Sequence, residues 1–509
     1  MQQKSILIIG AGVSGLSAGI YALQQGFKTT ILEKNPSVGG LCTGWYRKGH
    51  YVDGCIHWLT GTLPGTTLHQ MWQNVGAFSD DKDIIQLDSW GSFEHDGQVV
   101  TFWRDLAKAE KEWINISPID KKHIHRFFKM VKDFISVELP VDIPPSMMNI
   151  KQLFSMFSSV LKVWPSYLPT MGMSCEKYAK RFKSSAIRWA ITHAQPGPGN
   201  LFSMIYSYAS ISKGDGGIPK GGSKPMVERM KDKFLSLGGT LKLNTEVSNI
   251  LIDNKKCIGV RTTKEECLYA DYTVCCLDPN YVTHKLLLGM YQIPSLEKRF
   301  SRPYKHETPS CCVFSFVSDK LQDINYPYSF DVEPFKVGTA TISHLTLRSY
   351  GYDDTYINDG QTVCSVLIDQ YVEDYHYWNK LYKEDKKAYR LEKERIASII
   401  KQKLIEKFPD LDNHLTLIDS FTPKTLSRYT NASRGAFMGF LFHDKAPMWT
   451  FRGKFKGLNN LYLSGQWMQC PGGLPIAMVQ GMFSIQRICK KERQNYIFVD
   501  RRLLSIKHL

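Results

Sequence analysis

The chain has 509 residues, 43% of them apolar, so it is long enough for two domains with full-sized cores. Its 12 cysteines include no Cys-x-x-Cys and its histidines show no zinc-ligand spacing, which argues against thiol redox chemistry and a metal centre. The net charge of +16 favours anionic partners, but no base-reading motif accompanies it, and we expect no nucleic-acid ligand.

The chain opens on a strand–helix–strand pattern. An apolar run at 5–9 predicts a buried strand, a helical pattern follows, and 29–32 predicts a second strand that ends on Glu33. The turn between the first strand and the helix reads Gly-x-Gly-x-x-Gly, and its glycines are Gly10, Gly12 and Gly15. This order of elements predicts a dinucleotide-binding site.

Each of these residues has a physical role in such a site. Gly10 permits the tight turn, Gly12 lets a diphosphate approach the backbone, and Gly15 lets the helix pack closely on the strand. The helix N-terminus then offers N–H groups and a positive dipole end to the diphosphate. Glu33 accepts hydrogen bonds from a ribose diol, which argues against a 2′-phosphate.

A second glycine-rich stretch follows directly, with Gly39, Gly40, Thr43 and an Asp-Gly at Asp53. A nicotinamide enzyme needs no second glycine pair here, whereas the longer FAD must pass close to more backbone. On these motifs the chain resembles the flavoprotein superfamily of amine oxidases and phytoene desaturases. The resemblance implies FAD as cofactor, with Gly39, Gly40 and Thr43 beside it. Leu41 stands where many relatives have an arginine facing the FAD phosphates, so that phosphate contact must come from the backbone or elsewhere.

The next region, 63–214, has mixed patterns. Alternation around an Asp-Gly turn predicts a hairpin at 92–100, and a helix is predicted at 121–137. A clear amphipathic helix is predicted at 150–164, ended by Pro165. Its apolar stripe either packs on its own domain or forms a lid or membrane-surface helix at the mouth of a lipid pocket.

The passage 215–285 is predicted to return to the nucleotide domain. Pro-Lys-Gly-Gly at 219–222 precedes a predicted helix that has Ser223 as its N-cap and glycines at 238–239 after its end. Further strands are predicted at 240–243, 247–252, 257–261 and 272–277. The order of these elements is similar to that of phytoene desaturase relatives, which implies that the backbone of Val247 meets the adenine.

The predicted closing element is a strand at 460–465, a loop at 466–473 and a helix that starts at Pro475. Bare glycine backbone at the helix N-terminus would stabilise negative charge on a reduced flavin. The resemblance implies that this helix points at the isoalloxazine. The implied FAD contacts in this element are Gly465, Gln466, Gly473 and Leu474.

Together these blocks predict an α/β fold, a Rossmann-like FAD-binding domain with a single nucleotide site and an interleaved α+β substrate domain. The FAD-binding domain is predicted to be discontinuous, at 1–75, 215–285 and 455–492. The substrate-binding domain is predicted at 76–214 and 286–454, with a helical cap around 145–175 and a C-terminal tail at 493–509.

The resemblance covers nearly the whole chain and is strongest to the phytoene desaturase and retinol saturase group. It implies hydride transfer between flavin N5 and a carbon of a long apolar polyene or isoprenoid lipid, in desaturation, saturation or isomerisation. A flavin amine or porphyrinogen oxidase, and a flavin- and lipid-binding protein without turnover, stay open as alternatives. The chain has no second Gly-x-Gly-x-x-Gly for a separate NAD(P)H domain. Electrons would therefore pass through a quinone, oxygen, a carrier protein or a nicotinamide bound without its own Rossmann domain.

His57 is the candidate catalytic residue, because it lies four residues past Asp53 in the stretch expected beside the flavin. A hydrogen-bonded structural histidine is the alternative. Asp53 is interpreted as an acid that holds the backbone.

Location is predicted from the termini, the charge and the apolar runs. The first predicted strand begins four residues from the N-terminus, and no apolar run is long enough to cross a bilayer. We expect neither a signal peptide nor a transmembrane helix. The expected location is cytoplasmic, with peripheral binding to the inner face of a membrane through the positive charge and the 150–164 helix.

Overall fold

The computed structural model describes residues 3–78, 83–137, 141–154, 158, 163–170, 172–195, 199–321, 326–441 and 450–497. Its strands are β1 (Ser5–Ile9), β2 (Lys28–Leu32), β3 (Gly44–Arg47), β4 (His50–Asp53), β5 (Leu59–Thr60), β6 (Ile84–Ile85), β7 (Ser89–His95), β8 (Gln98–Trp103), β9 (Gly216–Pro219), β10 (Thr240–Lys242), β11 (Val247–Asp253), β12 (Lys256–Thr262), β13 (Cys267–Tyr269), β14 (Tyr272–Cys275), β15 (Ser310–Ser318), β16 (Tyr328–Val337), β17 (Ala340–Ser349), β18 (Ile357–Asn358), β19 (Gln361–Gln370), β20 (Thr416–Phe421) and β21 (Leu461–Leu463). Its α-helices are α1 (Val13–Gln24), α2 (Thr67–Asn74), α3 (Leu106–Ile116), α4 (Lys121–Phe134), α5 (Trp164–Tyr167), α6 (Cys175–Ala179), α7 (Ser185–His193), α8 (Leu201–Ser212), α9 (Ser223–Ser236), α10 (Pro279–Tyr281), α11 (Pro294–Phe300), α12 (Val372–Glu384), α13 (Lys386–Lys407), α14 (Pro423–Thr430) and α15 (Leu474–Lys491).

A parallel sheet in the order β10–β2–β1–β14–β21 gathers strands from three separated parts of the sequence. Strand β1 is apolar from Ile6 to Ile9 because both of its faces are buried there. Ile6 and Ile8 belong to a core shared with α1, α9 and α15. Leu7 and Ile9 belong to a second core, shared with β11 and β12. This sheet confirms the predicted Rossmann-like α/β fold, and the residue bounds of the two domains stay a prediction.

A mixed, mainly antiparallel sheet in the order β20–β15–β19–β17–β16–β7–β8 forms the second layer. Helices α12 and α13 cover one of its faces, where Phe314, Val366 and Leu347 pack against residues such as Trp378 and Ile400. The alternate residues of the same strands face the other way. That second face is the floor of the cavity described below.

A helical unit built from α3, α4, α6, α7 and α8 packs on the β7–β8 hairpin. Its core is aromatic, and Trp113 stacks on Phe127 with ring centroids 5.2 Å apart. The hairpin itself is the predicted one, and its turn residues Asp96 and Gly97 have φ of 50° and 71°. These positive values are those of the two central residues of a type I′ turn.

Two sequence-based boundaries are wrong. Ser223 is the first residue of α9 and not its N-cap, which is Gly222. The Ser223 N–H and hydroxyl both donate to the Asp53 carboxylate, at 2.6 and 2.7 Å, so an acid distant in sequence satisfies this helix end. Pro165 does not end a helix, because it lies in the first turn of α5.

The predicted 150–164 helix is described only in part. Residues 150–154 and 158 are helical, while 155–157 and 159–162 lie outside the described residues. Ile150 and Phe154 are 86% and 72% exposed. Within the described ranges, no helix is both long and apolar enough to cross a membrane.

Candidate active site

One cavity of about 1040 Å³ is lined by residues of both the parallel and the mixed sheet. It is larger than the roughly 300–1,000 Å³ of ordinary ligand pockets, which leaves room for a cofactor and a substrate together. The predicted site residues that line it are Gly10, Gly12, Glu33, Gly39, Gly40, His57, Val247, Gly465, Gln466, Gly473 and Leu474.

Gly15 and Thr43 are the predicted site residues outside this lining. A Cβ on Gly15 would lie 1.9 Å from the carbonyl oxygen of Gly10, so this glycine is required for packing of α1 on the preceding turn. The Thr43 carbonyl accepts a hydrogen bond from the Gly54 N–H at 2.8 Å, which holds the end of the β3–β4 ribbon.

The two glycine-rich stretches meet at the N-terminus of α1. The Gly39 N–H donates to the Ala11 carbonyl at 2.9 Å, and a Cβ on Gly40 would lie 3.5 Å from the Gly12 Cα. No side chain caps α1. Its first N–H groups and its positive dipole end therefore remain available to a diphosphate that approaches over bare backbone.

A second helix N-terminus opens into the same cavity. α15 begins after Gly473, whose φ is 93°, and no side chain caps it. The two helices cross in close contact, since a Cβ on Gly481 would lie 2.5 Å from the Ser14 carbonyl oxygen. The start of α15 lies seven residues, or about 10 Å, before that crossing. Two separate positive helix ends along one cavity fit an extended cofactor that carries negative charge in two places.

Glu33 is buried and ties the turn together. One carboxylate oxygen accepts from the Ala11 N–H at 2.8 Å, and the other accepts from the Asn35 N–H and side-chain amide, both at 2.9 Å. A carboxylate has about four acceptor positions, so capacity remains for a ribose hydroxyl. Val247 begins β11 at this end of the cavity.

The closing loop is held from inside the cavity. The Gln466 side-chain amide donates to the Phe437 carbonyl at 3.2 Å, and its oxygen accepts from the Gly473 N–H at 3.3 Å. Gly465 has φ of 117°, a conformation that favours glycine. This glutamine therefore fixes the loop that leads into α15.

Asp53 is a buried structural acid. Its carboxylate accepts hydrogen bonds from the N–H groups of Cys55, Ile56 and Ser223, and from the hydroxyls of Ser223 and Tyr356. Burial raises the pKa of this carboxyl above its ordinary value, and the hydrogen bonds from Ser223 oppose the rise. Its partners join β4 to the start of α9 and position the loop that carries His57.

His57 lies just beyond this acid, with its ring at the cavity wall. Within the described part of the chain, its ring nitrogens make no hydrogen bond. Burial lowers the pKa of His57 well below its ordinary value, and the nearby positive charge of Arg348 lowers it further. The ring is therefore neutral near pH 7, with one nitrogen able to accept a proton and the other able to donate one.

Arg348 is a cavity residue that sequence reasoning missed. Its guanidinium donates to the His57 carbonyl oxygen at 3.3 Å. The sequence signal that could have found it is the alternation of apolar and polar residues along β17. Leu345 and Leu347 pack into the core beneath the sheet. The residues between and after them, Thr346 and Arg348, therefore point into the cavity, as their place in its lining shows.

The remainder of the cavity is largely apolar. Its aliphatic and aromatic lining includes Val137, Val141, Trp58, Trp90, Phe202, Val313, Ile342, Leu367, Phe421, Phe437 and Leu441. His193 and His344 lie within this part, with ring centroids 4.6 Å apart. Burial lowers the pKa of His344 to about 4, so this imidazole is uncharged near neutrality.

Two aromatic residues near the end of the parallel sheet, Tyr462 and Trp467, do not form an aromatic sandwich in the cavity. Tyr462 is buried in β21 and is not part of the cavity lining. Trp467 reaches the cavity but packs against Phe300 and Phe440, with ring centroids 5.3 and 5.2 Å away.

Comparison with known proteins agrees with this geometry. The family model described as flavin containing amine oxidoreductase matches residues 13–488. A 4,4′-diaponeurosporene oxygenase of Staphylococcus aureus is 22% identical over 97% of this chain and 99% of its own length. A phytoene desaturase of Phycomyces blakesleeanus is 23% identical over 96% of this chain and 85% of its own.

Solved structures share the fold. An oxidoreductase from Methanosarcina mazei aligns with a TM-score of 0.58 at 16% identity, over 95% of this chain and all of its own. A putrescine oxidase in complex with putrescine aligns with a TM-score of 0.53 at 15% identity, over 96% of this chain and 99% of its own. The family match confirms the expected cofactor. The chain belongs to the flavin-containing amine oxidoreductase family and is an FAD-dependent oxidoreductase.

Proposed function

We propose that this oxidoreductase acts on carbon–carbon bonds of a long isoprenoid polyene. The observation that carries the proposal is the continuity of the cavity, which runs from the FAD-binding glycines into a chamber lined mainly by aliphatic and aromatic side chains. Such a wall favours an apolar ligand, because each buried methylene contributes about 0.8 kcal/mol. The names of the carotenoid-acting relatives, which align over nearly the whole chain, support the same substrate class.

When bound, FAD supplies a hydride acceptor or donor at its N5 position. The chain's own contribution is to place the substrate carbon, exclude water and handle the accompanying proton. His57 is the proposed acid–base residue, because its ring is neutral and carries no other hydrogen bond among the described residues. Asp53 acts indirectly, by holding the backbone on which His57 sits.

Membrane attachment is the second part of the proposal. Ile150 and Phe154 are strongly exposed, and Leu168 is 54% exposed. This segment follows Val141, which lines the cavity. An exposed apolar surface close in sequence to a cavity residue, on a chain with net charge +16, fits an anionic bilayer from which an isoprenoid substrate can enter. The electron partner is proposed to be a quinone, oxygen or a carrier protein.

The test is a single turnover of the FAD-loaded protein without oxygen. Oxidised and dithionite-reduced protein are each mixed with an acyclic isoprenoid polyene in liposomes, and separately with putrescine. We expect the polyene to change the flavin oxidation state in one of the two directions, with a matching change in the number of polyene double bonds. Flavin reduction by putrescine alone would support amine oxidation instead. No flavin change and no product with any compound would favour binding without turnover.

A further inference from the structure

The cavity contains a half-buried cation, Arg348, that an apolar substrate does not explain. Arg348 lies on β17 beside His57, in the part of the cavity next to the predicted flavin position. Its guanidinium has five N–H donors, and within the described part of the chain it makes one side-chain hydrogen bond, to the His57 carbonyl oxygen at 3.3 Å. A buried charge is costly unless it is paired and hydrogen-bonded.

Within the described ranges, no acidic side chain neutralises this guanidinium at short range. Among the described residues, no carboxylate forms an ion pair with Arg348 within 4.0 Å. Asp53 is a nearby acid that acts on it electrostatically, but that carboxylate already accepts hydrogen bonds from Cys55, Ile56, Ser223 and Tyr356. The remaining guanidinium donors therefore face the cavity.

The neighbouring hydroxyl groups on the cavity floor form hydrogen bonds with one another. The Thr346 hydroxyl pairs with that of Ser329 at 2.8 Å, and the Ser365 hydroxyl pairs with that of Tyr350 at 3.1 Å. Because these groups already have partners, they do not complete a hydrogen-bond shell for Arg348. The donors of Arg348 that face the cavity are therefore available to a ligand oxygen.

We propose that Arg348 binds a carboxylate carried by the substrate, so that the favoured substrate is an isoprenoid polyene acid and not a pure hydrocarbon. The inference rests on the proposed function and specifies its substrate class. A guanidinium matches a carboxylate geometrically, through two parallel N–H···O bonds.

The charge of the site selects a monoanion over a diphosphate. Other cationic side chains in the described lining are Lys34 and Lys213. Lys34 donates to Asn431 at the nucleotide end, at 2.8 Å, and Lys213 pairs with Asp215 at 3.8 Å. Among the described lining residues, Arg348 is thus one positive charge without a close acidic partner. One such charge can balance a single carboxylate but not the larger negative charge of a diphosphate.

The experiment compares all-trans-retinoic acid with its methyl ester as probes. Both are titrated into the FAD-loaded protein, and binding is read from the quenching of flavin fluorescence. In wild type we expect the acid to bind at least about tenfold more tightly than the ester, because only the acid offers a charged partner. In Arg348→Gln the acid should fall to the affinity of the ester, while ester binding stays within about twofold.

Two further variants complete the design. Arg348→Lys should keep part of the preference, because it retains the charge without the planar fork. Arg261→Gln, at a surface arginine 3.5 Å from Glu265, should leave the preference intact. If Arg348→Gln does not fold, the acid-to-ester ratio in wild type and in Arg348→Lys still decides.

Several results would overturn the inference. Equal binding of acid and ester by wild type, or a preference that survives in Arg348→Gln, would show that the arginine does not read a carboxylate. Loss of FAD in Arg348→Gln would assign the arginine to the cofactor. Ester binding without a preference for the acid overturns only this inference, whereas binding of neither probe also contradicts the proposed function.

Discussion

At the scale of single residues, the proposed chemistry depends on a neutral imidazole, that of His57. His57 is half-buried beside the positive charge of Arg348, and its burial and that charge both hold the pKa of its ring well below the ordinary value. A neutral imidazole can accept a proton from a substrate carbon without first having to release one of its own.

Replacement of His57 by alanine separates this role from cofactor binding. We expect His57→Ala to retain the visible spectrum of bound FAD but to slow polyene turnover at least about tenfold, because the proton must then move through water. Flavin content and single-turnover rates are measured on the same preparation. Unchanged turnover would remove His57 from the mechanism and leave it a structural histidine.

His344 gives a pH dependence of stability with a defined sign. Burial and the neighbouring His193 lower the pKa of His344 to about 4, below the roughly 6.5 of an unfolded histidine. Between these values the unfolded chain binds the extra proton, so the stability from this residue is present above about pH 6.5 and is lost as the pH falls towards 4. In His344→Gln the free energy of unfolding should therefore fall less steeply over this range, by up to about 1 kcal/mol per pH unit. Urea unfolding at several pH values measures it, and identical slopes would contradict the assignment.

At the scale of elements, the first strand–turn–helix unit contains two glycines, Gly12 and Gly15, that are needed for different reasons. Gly12 has φ of −71°, and a Cβ there would meet only the Gly39 carbonyl oxygen, at 3.7 Å. Gly15, in contrast, has no space for a Cβ. We therefore expect Gly12 to serve the ligand, whereas Gly15 is required for the packing of the fold.

The two alanine variants should accordingly fail in different ways. Gly12→Ala is expected to keep the melting temperature of the FAD-free protein but to weaken FAD binding at least about tenfold, because the methyl group stands where the diphosphate approaches. Gly15→Ala is expected to destabilise the FAD-free protein by about 1–3 kcal/mol or more, through overpacking. Calorimetric FAD titration and thermal melts distinguish them, and equal melting temperatures for the two variants would refute the division.

The exposed apolar segment near residue 150 allows a test of membrane binding. Ile150→Glu combined with Phe154→Glu should abolish sedimentation with anionic liposomes, because it removes the exposed apolar surface without opening a core. Tyr269→Glu, at an equally prominent site 67% exposed on β13, is the matched control and should sediment as wild type does. Sedimentation of the double variant would show that charge alone, or another surface, binds the bilayer.

The sequence predicted these elements where the cause of the structure is local. The glycine turn, the hairpin at Asp96 and the start of α15 follow from backbone conformations that few residues allow. The predicted cap at Ser223 was wrong because the acid that satisfies this helix end, Asp53, is brought there by the tertiary fold. Arg348 was missed for a related reason. One face of β17 packs against α12 and α13, and only this tertiary packing decides that the other face lines the cavity.

At the scale of the whole molecule, three separated parts of the sequence build one parallel sheet, and the mixed sheet lies across the cavity from it. This arrangement leaves one cavity, lined by both sheets, in which we expect FAD and the substrate to bind together. The resemblance to flavoproteins could predict that architecture because its motifs occur in the correct order along the chain. The polar features of the substrate chamber depend on individual side chains and could not be predicted in that way.

The most direct measurement identifies what the purified protein holds in its cavity. The protein is denatured in organic solvent, and the released molecules are quantified by mass spectrometry against the protein concentration. We predict about one FAD per chain, together with an isoprenoid lipid. A protein that releases no flavin, and that takes up none when FAD is added in excess, would contradict the central claim that this cavity holds FAD beside an apolar substrate.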